Sequence, residues 1–239
     1  MKTVFLDFDG VLFDTLREAF VLCRYAYSNI NIFEPINEDI YKLFYKYKFL
    51  VFNSWQYYYI MKLLSEHNYT NDNDFINQYN QFMQNRDTKK EEIFDKNYLS
   101  KRLDMMNNHK EFWNSLETPF PFFNKIKELY NDNKIDIIIV SKKNNIAINT
   151  RLNQYNLILE PSKVFAKEEL LQYKTKAEFI NEYMIKNNIA TSFFVDDNSN
   201  NLRPCKNYPQ ITPLLANWGN IAINETGLSC KEIINILHK

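Results

Sequence analysis

The chain has 239 residues in which 29 Lys and Arg balance 29 Asp and Glu, the length of one domain or of one domain carrying a sizeable insertion. Hydrophobic residues make up 45% and aromatics 16%, enough apolar side chain for a core, which excludes disorder over most of the chain. Zero net charge with the two signs interspersed argues against nucleic acid or an anionic membrane as the main partner and leaves a small molecule or another protein.

Cys23, Cys205 and Cys230 lie too far apart in sequence for a zinc site or a disulfide framework, so they read as small buried residues in a reducing, cytoplasmic protein. Asp7 and Asp9 interrupt what would be the apolar part of a signal peptide, and no apolar run reaches transmembrane length.

In chain order, the first apolar run is Thr3 to Phe8, whose lack of polar alternation fits a strand buried on both faces. From about Leu16 to Leu116 no strand-like run occurs. The periodicity there predicts helices over Leu16 to Ser28, Glu38 to Val51, Ser54 to Glu66, Asp74 to Asn85 and Lys89 to Asp104, broken near Pro35, Asn53 and the NDND stretch. A hundred residues are too many for a loop. Pro119 and Pro121 mark the return, and a helix over Phe122 to Asn131 leads into a second strand, Ile135 to Val140. A helix over Asn145 to Tyr155, a weaker strand at Lys163 to Ala166, a helix over Lys176 to Lys186, and strands at Ser192 to Val195 and Ile211 to Ala216 complete the pattern. Alternating buried strands and helices predict an α/β fold, a doubly wound parallel sheet of Rossmann-like type. The core is expected over residues 1–15 and 117–239, with an all-helical cap domain inserted over 16–116.

The segment DFDGVLFDT, Asp7 to Thr15, follows the first strand directly. Residues two apart in extended chain project to one side, so Asp7 and Asp9 are expected to present both carboxylates to one site at the strand's carboxyl end, with Gly10 allowing the turn. Acids packed this closely repel, and a divalent cation relieves the repulsion; oxygen-only ligands favour Mg²⁺. A second acid pair, Asp196 and Asp197, ends the run in FFVDDNSNN, and Ser141 ends the run in IIIVSKKNN. In a parallel sheet these strand ends share one edge, where Ser141 and the following amides suit a phosphate oxygen.

These residues resemble the motifs of the haloacid dehalogenase superfamily, specifically its phosphatase-like branch with a helical cap inserted after the first motif. DFDGVLFDT matches the first motif, Ser141 the second, a lysine before the last acid-bearing strand the third and VDDNSNN the fourth; Asn217 to Gly219 resembles the loop after the fifth core strand. The resemblance implies an Mg²⁺-dependent phosphatase acting on a small phosphate ester through an aspartyl-phosphate. Asp7 would be the nucleophile, Asp9 the general acid and base, and Ser141 a partner of the transferring group. Asp7, Asp9 and the fourth-motif acids Asp196 and Asp197 would hold the metal, Asp9 through its main-chain carbonyl. The third-motif lysine is Lys176, at a helix start, with Lys174 as the other reading. Gly10, Lys142 and Arg17 are further candidates for phosphate or substrate contact.

Plainer readings stand beside these. Asp14 and Thr15 read as the cap of the first inserted helix. Lys143 reads as a solvated helix-end lysine, with an approach to phosphate as the alternative. The stripe WQYYYIMKLL, from Trp55 to Leu64, reads as core rather than as a sugar or base platform. Arg24, like Arg17, is open to either a surface or a substrate role. A phosphomutase uses the same motifs; Ala19 lies where the mutases of this branch carry a cap histidine, which disfavours that reading. Dehalogenation is disfavoured because its enzymes lack an acid two residues after the nucleophile. A catalytically quiet binding protein is the remaining alternative. A monomer or small homo-oligomer is expected.

Overall fold

The computed structural model describes residues 1–238. Seven strands occur: β1 (Lys2–Leu6), β2 (Phe13–Asp14), β3 (Thr118–Pro119), β4 (Ile135–Val140), β5 (Val164–Phe165), β6 (Ser192–Asp196) and β7 (Ile211–Leu215). Five form one sheet in the order β5-β4-β1-β6-β7, and every pairing in it is parallel. β2 and β3 form a separate two-stranded ribbon. The chain builds outward from β1 to β4 and β5 on one side, then crosses back to β6 and β7 on the other. The order therefore reverses beside β1, the place where open α/β sheets bind ligands at their carboxyl edge.

The helices are α1 (Leu16–Ser28), α2 (Glu38–Tyr47), α3 (Tyr57–Glu66), α4 (Asp72–Gln84), α5 (Thr88–Asn108), α6 (Lys110–Ser115), α7 (Pro121–Asn131), α8 (Asn145–Gln154), α9 (Lys167–Leu170), α10 (Lys176–Lys186), α11 (Ser199–Leu202) and α12 (Cys230–His238). The chain divides into two compact units, Met1–Asp14 with the chain from Pro119 onward, and Thr15–Thr118.

In the sheet unit, side chains alternate between two apolar layers, as a period of two requires. Val4, Leu6, Ile135, Ile137 and Ile139 pack with Phe122, Ile126, Ile148, Leu152, Ile233 and Leu237 of α7, α8 and α12. Phe5, Ile138, Val140 and Phe194 point the other way, onto Ala177, Phe179, Ile180 and Met184 of α10. Strands covered on both faces need no polar alternation, which is why these segments read as continuous apolar runs. Thr175 caps α10 by accepting the Glu178 N–H (3.1 Å), while Glu178 accepts the Lys174 N–H (2.8 Å). That reciprocal cap fixes Lys176 as the first residue of the helix.

The Thr15–Thr118 unit is helical throughout. α1 packs on α3 and α5, and its Phe20, Leu22 and Cys23 are buried. Much of the rest is aromatic: Phe44 stacks on Tyr57 at 5.2 Å, and Tyr57, Tyr59, Ile60, Leu63 and Leu64 of the Trp55-to-Leu64 stripe are core, as its spacing predicts.

Several local expectations need correction. Thr15 occupies the position before α1 but makes no side-chain cap bond. α2 ends at Tyr47 and passes into a single 3₁₀ turn, Lys48–Leu50. α5 continues to Asn108, and α6 and α12 are helices the sequence reading did not include.

Candidate active site

Parallel register brings three strand ends level. Leu6 of β1 lies opposite Ile139 of β4 and Val195 of β6, so Asp7, Ser141 and Asp196 emerge at one edge within a residue or two of each other. The Asp7 N–H still donates to the Val195 carbonyl at 3.0 Å, which pins the first residue beyond β1. The loop then folds back on itself, with Gly10 N–H on the Phe13 carbonyl (2.8 Å) and Leu12 N–H on the Phe8 carbonyl (3.0 Å). Gly10 has φ 82°, and a Cβ there would overlap the Asp197 carboxylate and the Asn220 amide. Both backbone conformation and space therefore require glycine.

Lys176 organises the acids. Its Nζ, on a side chain only 3% exposed, lies 2.8 Å from Asp7 Oδ2 and 2.8 Å from Asp196 Oδ2. Asp7 Oδ1 accepts the Phe8 N–H at 2.7 Å. Asp196, fully buried, also accepts the Asn198 N–H (2.9 Å) and the Asn201 amide on both oxygens (3.0 Å each). Asp197 Oδ2 accepts both the N–H (2.6 Å) and the side-chain amide (2.8 Å) of Asn220.

Carboxylate oxygens of Asp7, Asp196 and Asp197 all lie within 4.8 Å of one another. Lys176 meets two of these three carboxylates, and all three share one buried place. Burial pushes the Asp7 carboxyl up to about 7, with Lys176 opposing and Asp196 and Asp197 reinforcing the rise. Burial would lower the Lys176 amine, but Asp196 and Asp7 outweigh it and hold it above its ordinary value.

Asp9 departs from expectation. Its carboxylate is not in the three-acid group; Oδ1 is instead 3.1 Å from Lys143 Nζ. Lys143 is not a solvated helix-end residue either, because its side chain is wholly buried. Ser141 is 1% exposed, and its Oγ accepts the Lys143 N–H at 3.3 Å, which leaves the hydroxyl proton to donate elsewhere. Lys142, next to it, is exposed along its chain, yet crowding by protein atoms and then by Lys176 pushes its amine below the ordinary lysine value, with Asp7 and Asp196 opposing.

The structure thus brings together Asp7, Asp196, Asp197, Lys176, Gly10 and Ser141, with the Lys143–Asp9 pair linking the same two strand ends. Lys174 is exposed, and its backbone serves the α10 cap. Arg17 forms an exposed ion pair with Glu38 (3.0 Å) and stacks on Tyr41. Arg24 is buried, with its guanidinium on the Glu34 and Pro35 carbonyls (3.3 and 3.0 Å). Asn220 and Lys143 are the participants that sequence reasoning did not place.

The sequence matches no family model and no curated protein. Solved structures match over nearly the full length. A protein described as a predicted phosphoglycolate phosphatase, from Haemophilus somnus 129PT, superposes with a TM-score of 0.64 at 13% identity, covering 99% of this chain and 97% of its own. A haloacid dehalogenase-like family hydrolase from Streptococcus pneumoniae gives 0.61 at 12%, with 99% and 98% covered. The chain has the haloacid dehalogenase fold. A structure whose description names a beta-phosphoglucomutase, from Thermotoga maritima, shares that fold at 0.57 and 14%, with 99% and 98% covered.

The haloacid dehalogenase fold implies a divalent metal, and the residues present fit one. The donors are all oxygen, the suite for Mg²⁺. The clamp on Asp197 Oδ2 orients that carboxylate, and the buried Asn220 Oδ1 has no hydrogen-bond partner among the described residues. An unsatisfied buried acceptor beside an acid cluster suits a water or ion. Among the described residues no helix is long and apolar enough to cross a membrane.

Proposed function

We propose that this protein is an Mg²⁺-dependent phosphatase that hydrolyses a small phosphate monoester through a phosphoryl group carried on Asp7. The observation that supports this most is the position of Asp7: a buried carboxylate at the end of the central strand, held by one lysine and crowded by two further acids. Asp7 attacks phosphorus, and the bond to the ester oxygen breaks. Asp9 gives its proton to that leaving oxygen, and the alcohol departs. The same carboxylate then takes a proton from a water that attacks phosphorus, breaking the acyl phosphate bond and freeing inorganic phosphate. Ester and water become alcohol and phosphate, with Asp7 and Asp9 restored.

Lys176 orients the nucleophile and offsets charge on the phosphoryl oxygens, while Ser141 and Lys142 hold those oxygens. Asp7 and Asp197 would hold the metal with the Asp9 carbonyl. Asp196, whose oxygens already accept from Lys176, Asn198 and Asn201, anchors the lysine. Bound Mg²⁺ supplies charge neutralisation between an anionic nucleophile and an anionic ester. The strand-end motifs recognise a phosphoryl group alone, so the helical insert over 16–116 is proposed as the segment that distinguishes one ester from another.

The test is phosphate release from p-nitrophenyl phosphate and from a panel of phosphorylated metabolites, with Mg²⁺ and with excess chelator. Release that requires Mg²⁺ is expected. Full activity in chelator, or no release from any ester, contradicts the reading. Transfer of the phosphoryl group to a second hydroxyl of the substrate, without release, favours the phosphomutase named for the Thermotoga maritima structure.

A further inference from the structure

We infer that Lys143 is the positioning residue that reserves Asp9 for acid and base work by keeping its carboxylate out of the metal-binding acids. The inference rests on the proposed phosphatase reading and adds a role to a residue outside the resemblance.

The geometry is the reverse of an ordinary surface ion pair. Lysine is usually the exposed partner, because its stem is flexible and its ammonium strongly hydrated. Here the Lys143 side chain is 0% exposed and the Asp9 side chain 38% exposed. A buried ammonium is costly unless it is matched to charge. The lysine is therefore the fixed anchor, and the carboxylate is what it presents outward. Lys143's own backbone is also held: its N–H lies on Ser141 Oγ, and its carbonyl accepts the Lys167 N–H at 3.0 Å. Asn144 immediately caps α8 by accepting the Ala147 N–H (2.8 Å). The side chain passes the Phe8 ring, 5.7 Å from its centroid, and Phe8 is itself stacked on Phe13 at 4.8 Å.

Two consequences follow from the anchor. Lys143 engages Oδ1 of Asp9, which leaves Oδ2 for a leaving-group oxygen or a water. It also draws the carboxylate away from Asp7, Asp196 and Asp197, whose oxygens form a group without it. The two buried lysines thus sort three of the four neighbouring acids: Lys176 keeps Asp7 and Asp196 beside the metal position, and Lys143 keeps Asp9 apart. Without Lys143, Asp9 loses this ion pair, and a carboxylate committed to a metal instead is a poor proton carrier.

The experiment compares Lys143→Met, Lys143→Arg and Asp9→Asn on an alkyl phosphate and on p-nitrophenyl phosphate, and measures Mg²⁺ affinity of each by calorimetry. An alkoxide needs protonation as it leaves, whereas p-nitrophenolate does not, and a positioned acid contributes about 100-fold or more. Lys143→Met is expected to lose about 100-fold in kcat on the alkyl ester and under about tenfold on the aryl ester, at unchanged KM. It is expected to bind Mg²⁺ at least as tightly as the wild type, and the double variant with Asp9→Asn is expected to be no worse than Asp9→Asn alone. Lys143→Arg, which keeps the charge, should recover part of the alkyl activity and keeps the test open if the methionine variant folds poorly. Equal losses on both esters, or a raised KM on both, would make Lys143 a phosphate contact and overturn the inference. Wild-type activity on the alkyl ester would overturn it as well. If Asp9→Asn itself shows no dependence on the leaving group, the acid and base reading of Asp9 fails, and this inference falls with it.

Discussion

Buried carboxylates in the two units are held in different ways. In the helical unit Glu18 has no exposed surface and accepts from Arg102 Nε (2.9 Å), Arg102 Nη2 (2.8 Å) and Trp113 Nε1 (2.8 Å). One carboxylate meets one guanidinium in a bidentate fork, with an indole N–H to complete it. At the strand ends Asp7 and Asp196 share one lysine, with Asp197 beside them; Asp7 is driven up to about 7, and the buried Asn220 Oδ1 has no partner among the described residues. A balanced buried charge stabilises the fold and does nothing further. A cluster of buried acids that shifts one of its members this far makes the strand ends the candidate functional site.

The sharpest break in the comparison is Asp7→Asn against Glu18→Ala. Asp7→Asn should lower turnover by at least about a thousandfold, because a near-isosteric amide cannot attack phosphorus; phosphate release measures it. Glu18→Ala leaves the half-buried Arg102 without its carboxylate, a loss of about 3 kcal/mol, or roughly 10 °C in melting temperature. The kcat per folded molecule should stay within about threefold. If Glu18→Ala removes activity from protein that remains folded, the division into structural and functional clusters is wrong.

A smaller effect sharpens the contrast through pH. The folded Asp7 carboxyl sits near 7 against an ordinary value of 3.8. Between those values the metal-free native state holds a proton that the unfolded state has lost. Asp7's contribution to stability is thus fully present below about pH 4 and is lost as pH rises through 7. Metal-free wild type should therefore fall in melting temperature relative to Asp7→Asn between pH 5 and pH 8, and Mg²⁺ should reverse the fall at pH 8. Parallel melting curves across that range would contradict a raised Asp7 carboxyl in the folded protein.

The sheet was legible because its strands are buried on both faces and end in acids or serine; Ile135–Val140 and the helix Lys176–Lys186 stand where the sequence predicts them. Lys176 was legible for a local reason, its place after the Thr175 cap. What escaped were features made by distant chain segments or by weak local signals. Lys142 and Lys143 look alike in sequence, yet one is exposed and the other buried; the chain bends there, past the end of β4, and strand alternation gives no signal for it. Asn220 lies 23 residues from the carboxylate it clamps, and nothing local announces such a contact. The final helix, Cys230–His238, was missed although a local signal for it stands in the sequence: Ser229 and Glu232 form a reciprocal cap (2.8 and 3.3 Å) ahead of buried Ile233 and Leu237. Asp9 went astray because alternation alone places it beside Asp7, whereas Lys143 draws its carboxylate elsewhere.

The most direct test of the central claim, that the clustered acids at the strand ends hold a divalent cation, is calorimetric titration of Mg²⁺ into the metal-free protein in buffers of differing ionisation heat. With Asp7 near 7, binding at pH 7 should displace about half a proton, falling towards zero at pH 9. One ion per chain is expected, with binding abolished by Asp197→Asn and weakened about tenfold by Asn220→Ala, which loosens the clamp on Asp197. No binding at millimolar Mg²⁺, or binding that neither releases a proton at pH 7 nor responds to Asp197→Asn, would contradict it.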